Sequence, residues 1–178
     1  PYILTMRDSP QTNLEIESNN TLKVANAIES GIAKKGRIYT QTDKDYFGFH
    51  LPTEDLFTVT FTPSTTTGDY KISLRNENDI LLESYTSSNG QPQSLEFYQT
   101  PGNYYLKVES NGDIDQYKTY DLTITSSAAI TGIKQLVSVT VAGSQAEMQP
   151  TGTQTLTAKA GYSDASATSV APVWTSLT

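Results

Sequence analysis

Phe57-Thr58-Val59-Thr60-Phe61-Thr62 is the stretch on which the fold class turns. Alternate side chains of an extended strand point to opposite faces, so Phe57, Val59 and Phe61 share one face and three threonines the other. One apolar face and one hydroxyl face describe a half-buried antiparallel strand. The same period recurs in Tyr70, Ile72 and Leu74, in Tyr104, Leu106 and Val108, and in Tyr120, Leu122 and Ile124.

Between these runs lie Ser64-Thr65-Thr66-Thr67-Gly68-Asp69, Asn76-Glu77-Asn78-Asp79, Ser87-Ser88-Asn89-Gly90 and Pro101-Gly102-Asn103. All are built from residues that tolerate tight turns or left-handed backbone. Short alternating strands at this spacing from Ile32 to Thr125 predict an all-β sandwich or barrel. Only Thr21–Ser30 carries a partial 3.6-residue period, in Leu22, Ala25, Ala27 and Ile28; with Thr21 as N-cap it predicts at most one short helical turn.

After Ser126-Ser127-Ala128-Ala129, which reads as a linker, a second register begins near Gly132. Val137, Val139 and Val141 alternate, then Leu156, Ala158 and Ala160, then Val170 and Val173-Trp174. About three strands rarely stand alone in water, so this second unit is predicted to be incomplete.

The composition is rich in Thr, Ser, Tyr, Val and Ile, residues that fit a pleated surface. With 12 basic and 19 acidic residues and a pI near 4.6, there is no electrostatic footprint for nucleic acid or an anionic membrane. Having no cysteine, the chain has neither a disulfide framework nor a thiolate site. No apolar run approaches the ~20 residues of a membrane span, and Pro1-Tyr2-Ile3-Leu4 lacks the charged start of a secretory leader.

Catalysis finds no foothold. The single histidine, His50, alternates with Phe47 and Phe49 and is expected at the surface. No Gly-x-Ser-x-Gly segment presents a nucleophile, and no glycine-rich loop leads into a helix to cradle phosphate. The eleven tyrosines suit half-buried strands; Tyr46, Tyr85, Tyr98, Tyr105 and Tyr117 are the ones expected to point outward, where an aromatic row could hold an extracellular polymer. Trp174 is expected to be a core residue of the second unit.

Residues 15–125 resemble the bacterial pre-peptidase C-terminal domain. The resemblance is carried by Glu15-Ile16-Glu17-Ser18-Asn19-Asn20, Ala25, Ile28, Gly36-Arg37-Ile38, Asp43-Lys44-Asp45-Tyr46-Phe47-Gly48-Phe49, Pro101-Gly102-Asn103-Tyr104-Tyr105-Leu106-Lys107-Val108 and Tyr120-Asp121-Leu122-Thr123-Ile124. Residues 132–178 resemble the opening of a bacterial group 2 immunoglobulin-like domain, through Leu136-Val137-Ser138-Val139-Thr140-Val141, Leu156-Thr157-Ala158, Tyr162-Ser163-Asp164 and Val173-Trp174-Thr175-Ser176. The expected organisation is an extension over 1–14, a jelly-roll-like antiparallel β-sandwich over 15–126, a linker over 127–131, and an incomplete immunoglobulin-like β-sandwich over 132–178.

The first resemblance implies a non-catalytic accessory module of a secreted or cell-surface prokaryotic protein, for targeting, spacing or adhesion. Its partners would be other domains of the parent protein, a neighbouring copy or an extracellular polymer, without nucleic acid or a membrane span. The alternative is a structural subunit of an extracellular filament or surface layer, its open second unit completed by strands of a neighbouring chain. The sandwich is also similar to the collagen-binding domain of clostridial collagenases, which implies calcium where the acidic N-terminal segment meets the strand bearing aspartates. The candidate ligands are Glu15, Glu17, Asn19, Asn20, Asp43 and Asp45, an oxygen set of the kind calcium takes. Asn20 stands where that pattern has aspartate, and a Tyr120 oxygen is a further candidate, set against a packing role in the core.

Overall fold

The computed structural model describes residues 13–112, 117–133, 136–142, 157–162 and 167–170. Along the chain a short 3-10 turn, Leu22–Val24, precedes β1 (Asn26–Ala27), β2 (Lys34–Gly36), β3 (Lys44–Leu51), β4 (Asp55–Pro63) and β5 (Tyr70–Asn76). There follow β6 (Leu81–Ser87), β7 (Gln93–Gln99), β8 (Gly102–Ser110), β9 (Tyr120–Thr125) and β10 (Thr131–Gly132). Beyond them lie β11 (Leu136–Ala142), β12 (Thr157–Tyr162) and β13 (Ala167–Val170). The single short turn expected over 21–30 is the 3-10 turn, Thr21 makes no side-chain cap, and residues 26–27 pair in parallel with β3.

One sheet has the order β1-β3-β8-β5-β6, with β10 also on β3; the other has the order β2-β9-β4-β7. Phe57, Val59 and Phe61 of β4 and Leu122 and Ile124 of β9 pack against Phe47, Phe49, Ile72, Leu74, Leu106 and Val108 of the facing sheet. In β4 and β9 the alternation read in sequence is the alternation of burial observed, with Thr60 and Thr62 exposed between buried Val59, Phe61 and Pro63; in β5 Ser73 is buried as well, and in β8 every residue from Tyr104 to Val108 is. Aromatic rings join the layers, with Phe49 and Phe57 edge to face at 5.3 Å and Phe61 against Tyr70 at 5.2 Å. Burying side chains of this size contributes about 1.5–3 kcal/mol each. The all-β antiparallel sandwich is therefore present, with its core between the two sheets.

Residues 128–133, read in sequence as the linker and the first residues of the second unit, belong to the sandwich. Ile130 is buried in the core, Thr131 and Gly132 pair with His50 and Phe49, and Ile133 donates its N–H to the Gly48 carbonyl at 3.0 Å. Ile28 donates to that same carbonyl at 3.1 Å. At Gly132 the segment lies close against β1, where a side chain would meet Ala27 Cβ at 2.7 Å.

β11, β12 and β13 form a separate three-stranded antiparallel sheet. Val139 and Val141 lie opposite Ala160 and Ala158. The two alanines are buried, whereas Val139 is 58% and Val141 44% exposed. The expected core role of Trp174 lies outside the described residues.

Candidate metal centre

The site forms where the N-terminal strap, residues 13–20, crosses the edge of the sandwich. Glu15 N–H donates to Lys35 O at 2.9 Å and Lys35 N–H to Asn13 O at 2.7 Å, which zips the strap onto β2. Buried Asn26 holds Ile16 at both backbone groups, at 2.6 and 3.1 Å, and Tyr46 N–H donates to Asn19 O at 3.1 Å. With its backbone fixed, the strap turns Glu15 inward over Asp45, the second residue of β3.

Glu15, Glu17 and Asp45 each bring a carboxylate oxygen to a common point, all within 4.8 Å of one another. Asp45 is fully buried; its Oδ2 accepts from the Tyr120 hydroxyl, and its Oδ1 has no partner. Asn19 is also fully buried; its Nδ2 donates to Glu15 Oε2 at 3.5 Å, and its Oδ1 is likewise unpartnered. Glu15 Oε1 accepts the Arg37 N–H at 2.5 Å. The approach is close enough to require glycine at Gly36, where a Cβ would meet the Tyr120 hydroxyl at 2.3 Å and Glu15 Oε2 at 2.8 Å.

Such an arrangement is electrostatically costly without a cation. Burial raises the Glu15 pKa to about 7, with the charge of Glu17 adding to it and the Arg37 N–H opposing it. Burial, then the charge of Glu15, raises Asp45 further. Glu17 is raised by burial and by Asp43. Buried oxygens left without donors cost free energy unless a proton or a metal ion serves them.

The other expected ligands are engaged differently. Asp43 lies next to the cluster but accepts Tyr39 N–H at 2.7 Å and Lys44 N–H at 3.0 Å, so both its oxygens cap the turn entering β3. Asn20 Oδ1 accepts from Lys44 N–H at 2.8 Å. Tyr120, packed between Phe47, Phe61 and Tyr70, reaches the site only through its hydroxyl. Gly36 and the Arg37 amide are the participants the sequence reading passed over; the one signal for them was the Gly-Arg-Ile element itself.

The five tyrosines expected to point outward divide into covered and exposed ones. Tyr46 and Tyr105 lie on the outer face of β3 and β8 but are buried under Leu22, Ala25 and Ile133. Tyr85 packs on the core against Phe97. Tyr98 and Tyr117 are exposed. His50 is at the surface as expected, with Nδ1 2.9 Å from Asn103 Oδ1.

The pre-peptidase C-terminal domain of a collagenase from Bacillus anthracis superposes with a TM-score of 0.50 at 24% identity, over 60% of this chain and 100% of that domain. The sandwich has the fold of a pre-peptidase C-terminal domain. A carbohydrate-binding module, CBM36, in complex with calcium and xylotriose, aligns at TM-score 0.34 and 13% identity over 61% of this chain and 99% of that one. No protein-family model and no curated protein sequence matches the chain. No helix among the described residues is long and apolar enough to cross a membrane.

Proposed function

We propose that this chain is a non-catalytic accessory module of a secreted or cell-surface prokaryotic protein, serving in targeting, spacing or adhesion, and that calcium clasps its N-terminal strap to the sandwich. One observation carries the reading: two fully buried side-chain oxygens, Asp45 Oδ1 and Asn19 Oδ1, lack partners beside the converged carboxylates of Glu15, Glu17 and Asp45. Glu15, Glu17, Asn19 and Asp45 supply only hard oxygen donors, which suits calcium better than zinc or copper. Asp43 and Asn20 act from outside this set, ordering the turn that positions Asp45. The ion's chemistry here is charge compensation and cross-linking, with no substrate to activate.

Thermal unfolding in excess EDTA and then in calcium tests this. A ligand that binds only the folded state at a hundredfold over its Kd adds about 2.7 kcal/mol. For a domain of this size that is a rise in Tm of about 10 °C. Glu17→Gln and Asp45→Asn should abolish the increment; an equal Tm in EDTA and calcium would remove calcium from the reading.

A second reading concerns the rest of the chain. The exposed valines beside buried alanines in β11 and β12 favour an open immunoglobulin-like sheet awaiting a facing layer. In that reading the boundary between units falls after Ile133, and strands of a neighbouring chain in a filament or surface layer supply the facing layer.

A further inference from the structure

The tripeptide Ser-Asn-Gly occurs twice, at Ser88-Asn89-Gly90 and at Ser110-Asn111-Gly112. Asparagine followed by glycine is the pair in which a backbone nitrogen most readily attacks the preceding side-chain amide, because glycine has no Cβ to obstruct the approach. With the same three residues in both copies, the local sequence gives them similar intrinsic reactivity, and the fold decides between them.

At the first copy the attacking nitrogen is locked. Gly90 is buried, and its N–H donates to Gly68 O at 2.9 Å. Asn89 sits in left-handed backbone, φ 52°, with its own N–H held by Asp69 Oδ1 at 2.9 Å. The Thr65 carbonyl lies so near that a Cβ at Gly90 would clash with it. The peptide between Asn89 and Gly90 therefore has neither a free nitrogen nor room to rotate. At the second copy the chain is fixed only as far as Asn111, whose N–H donates to Asp69 O at 2.9 Å one residue past the end of β8. Asn111 and Gly112 are both exposed. Gly112 N–H is met by the Ser110 hydroxyl at 3.3 Å, beyond the usual length of such a bond and open to exchange for water.

We propose that Asn111 is a site of spontaneous deamidation in the folded protein and that Asn89 is protected from it. Solvent hydroxide takes the Gly112 amide proton, and the nitrogen bonds to Asn111 Cγ. The side-chain nitrogen then takes a proton from water and leaves as ammonia, closing a succinimide ring. Water opens the ring at either carbonyl, to isoaspartate or aspartate. Both products add a carboxylate to a chain of net charge -7. They add it beside Asp69, whose Oδ2 lies 3.7 Å from where a Cβ at Gly112 would stand. Asp69 ties the two turns together, through its carbonyl at Asn111 and its carboxylate at Asn89, so the new charge falls next to that tie.

The test is incubation of the full chain in mildly alkaline buffer, folded and in guanidinium chloride, followed by tryptic mapping with fragment-ion mass spectrometry. Cleavage after Arg75, Lys107 and Lys118 places Asn89 and Asn111 in different peptides. In the folded protein, isoaspartate and aspartate should accumulate at Asn111 several-fold faster than at Asn89, with a more acidic species growing in step on anion exchange. In denaturant Asn89 should accelerate until the two rates converge. Gly112→Ala should slow conversion at Asn111 several-fold and leave Asn89 unchanged. Conversion of Asn89 as fast as Asn111 in the folded chain overturns the proposal, as does an Asn111 that converts only in denaturant; the metal reading stands or falls separately, on the EDTA comparison.

Discussion

Asp45 and Asp55 show how differently one residue type can be used on the two sides of a sandwich. Asp45 is buried with one oxygen unserved and two carboxylates for company, and its pKa is driven up. Asp55, at the surface, accepts the hydroxyls of Ser126 and Ser127 and the Ala128 N–H, and its pKa is drawn down to about 2, with Ser126 contributing most. Donors decide the outcome. A carboxylate surrounded by them is a fastener by itself, whereas one deprived of them becomes a fastener only when a cation arrives.

The largest expected break in this contrast comes from Gly36→Ala, which forces a methyl group into the Tyr120 ring and the Glu15 carboxylate. Overpacking of this kind costs about 1–3 kcal/mol. Here it should also abolish the calcium increment, because the displaced groups hold Asp45 and supply a ligand. Urea unfolding with and without calcium reads both effects.

The next effect is the pH dependence of the calcium-free protein. Glu15 has a folded pKa near 7, above its ordinary value of 4.5, so the folded state binds the proton more tightly than the unfolded chain does. Its contribution is complete below about 4.5 and is lost as pH rises through about 7. In EDTA the Tm should therefore fall between about pH 5 and pH 8. The increment due to calcium should grow over the same interval as protons cease to compete. A Tm in EDTA that rises across this interval would contradict the assignment.

The smallest effect belongs to Asp55→Asn. Its depressed pKa means that its stabilisation is present above the ordinary value of 3.8 and lost as pH falls through about 2. The variant should show a slightly lower Tm at neutral pH, a gap that narrows in acid, and an undiminished response to calcium. Differential scanning calorimetry at the two pH extremes checks it.

Much of the sandwich was legible because period-two burial is a local property: Phe57, Val59 and Phe61 announce their face wherever the strand lies. Tyr46 and Tyr105 obeyed the same alternation and do lie on the outer face. Their cover comes from Leu22 and Ala25, about twenty residues before Tyr46, and from Ile133, nearly thirty after Tyr105, which no local pattern encodes. At the site, ligand chemistry pointed to Glu15, Glu17, Asn19, Asn20, Asp43 and Asp45 together, but not to the backbone amides from which Asp43 and Asn20 accept. That division depends on the turn before β3, where backbone N–H groups need acceptors and short polar side chains are at hand. That the chain returns to the sandwich after Ser126–Ala129, with Ile130 in the core and Thr131 and Gly132 on β3, is a long-range pairing of the same kind.

The shared Gly48 carbonyl gives the molecule a mechanical character. The segment that follows the strap, at Ile28, and the segment that leaves the sandwich, at Ile133, are fastened at a single point on β3. Tension applied between the flanking parts of the chain enters where the strap pairs with β2 at Lys35 and leaves where Ile133 pairs with β3 at Gly48. It meets two short strand pairings and the strap carrying Glu15 and Glu17 before it reaches any core strand. Under traction the sandwich hangs beside the line of force rather than within it, and its aromatic core stays intact until that edge has peeled.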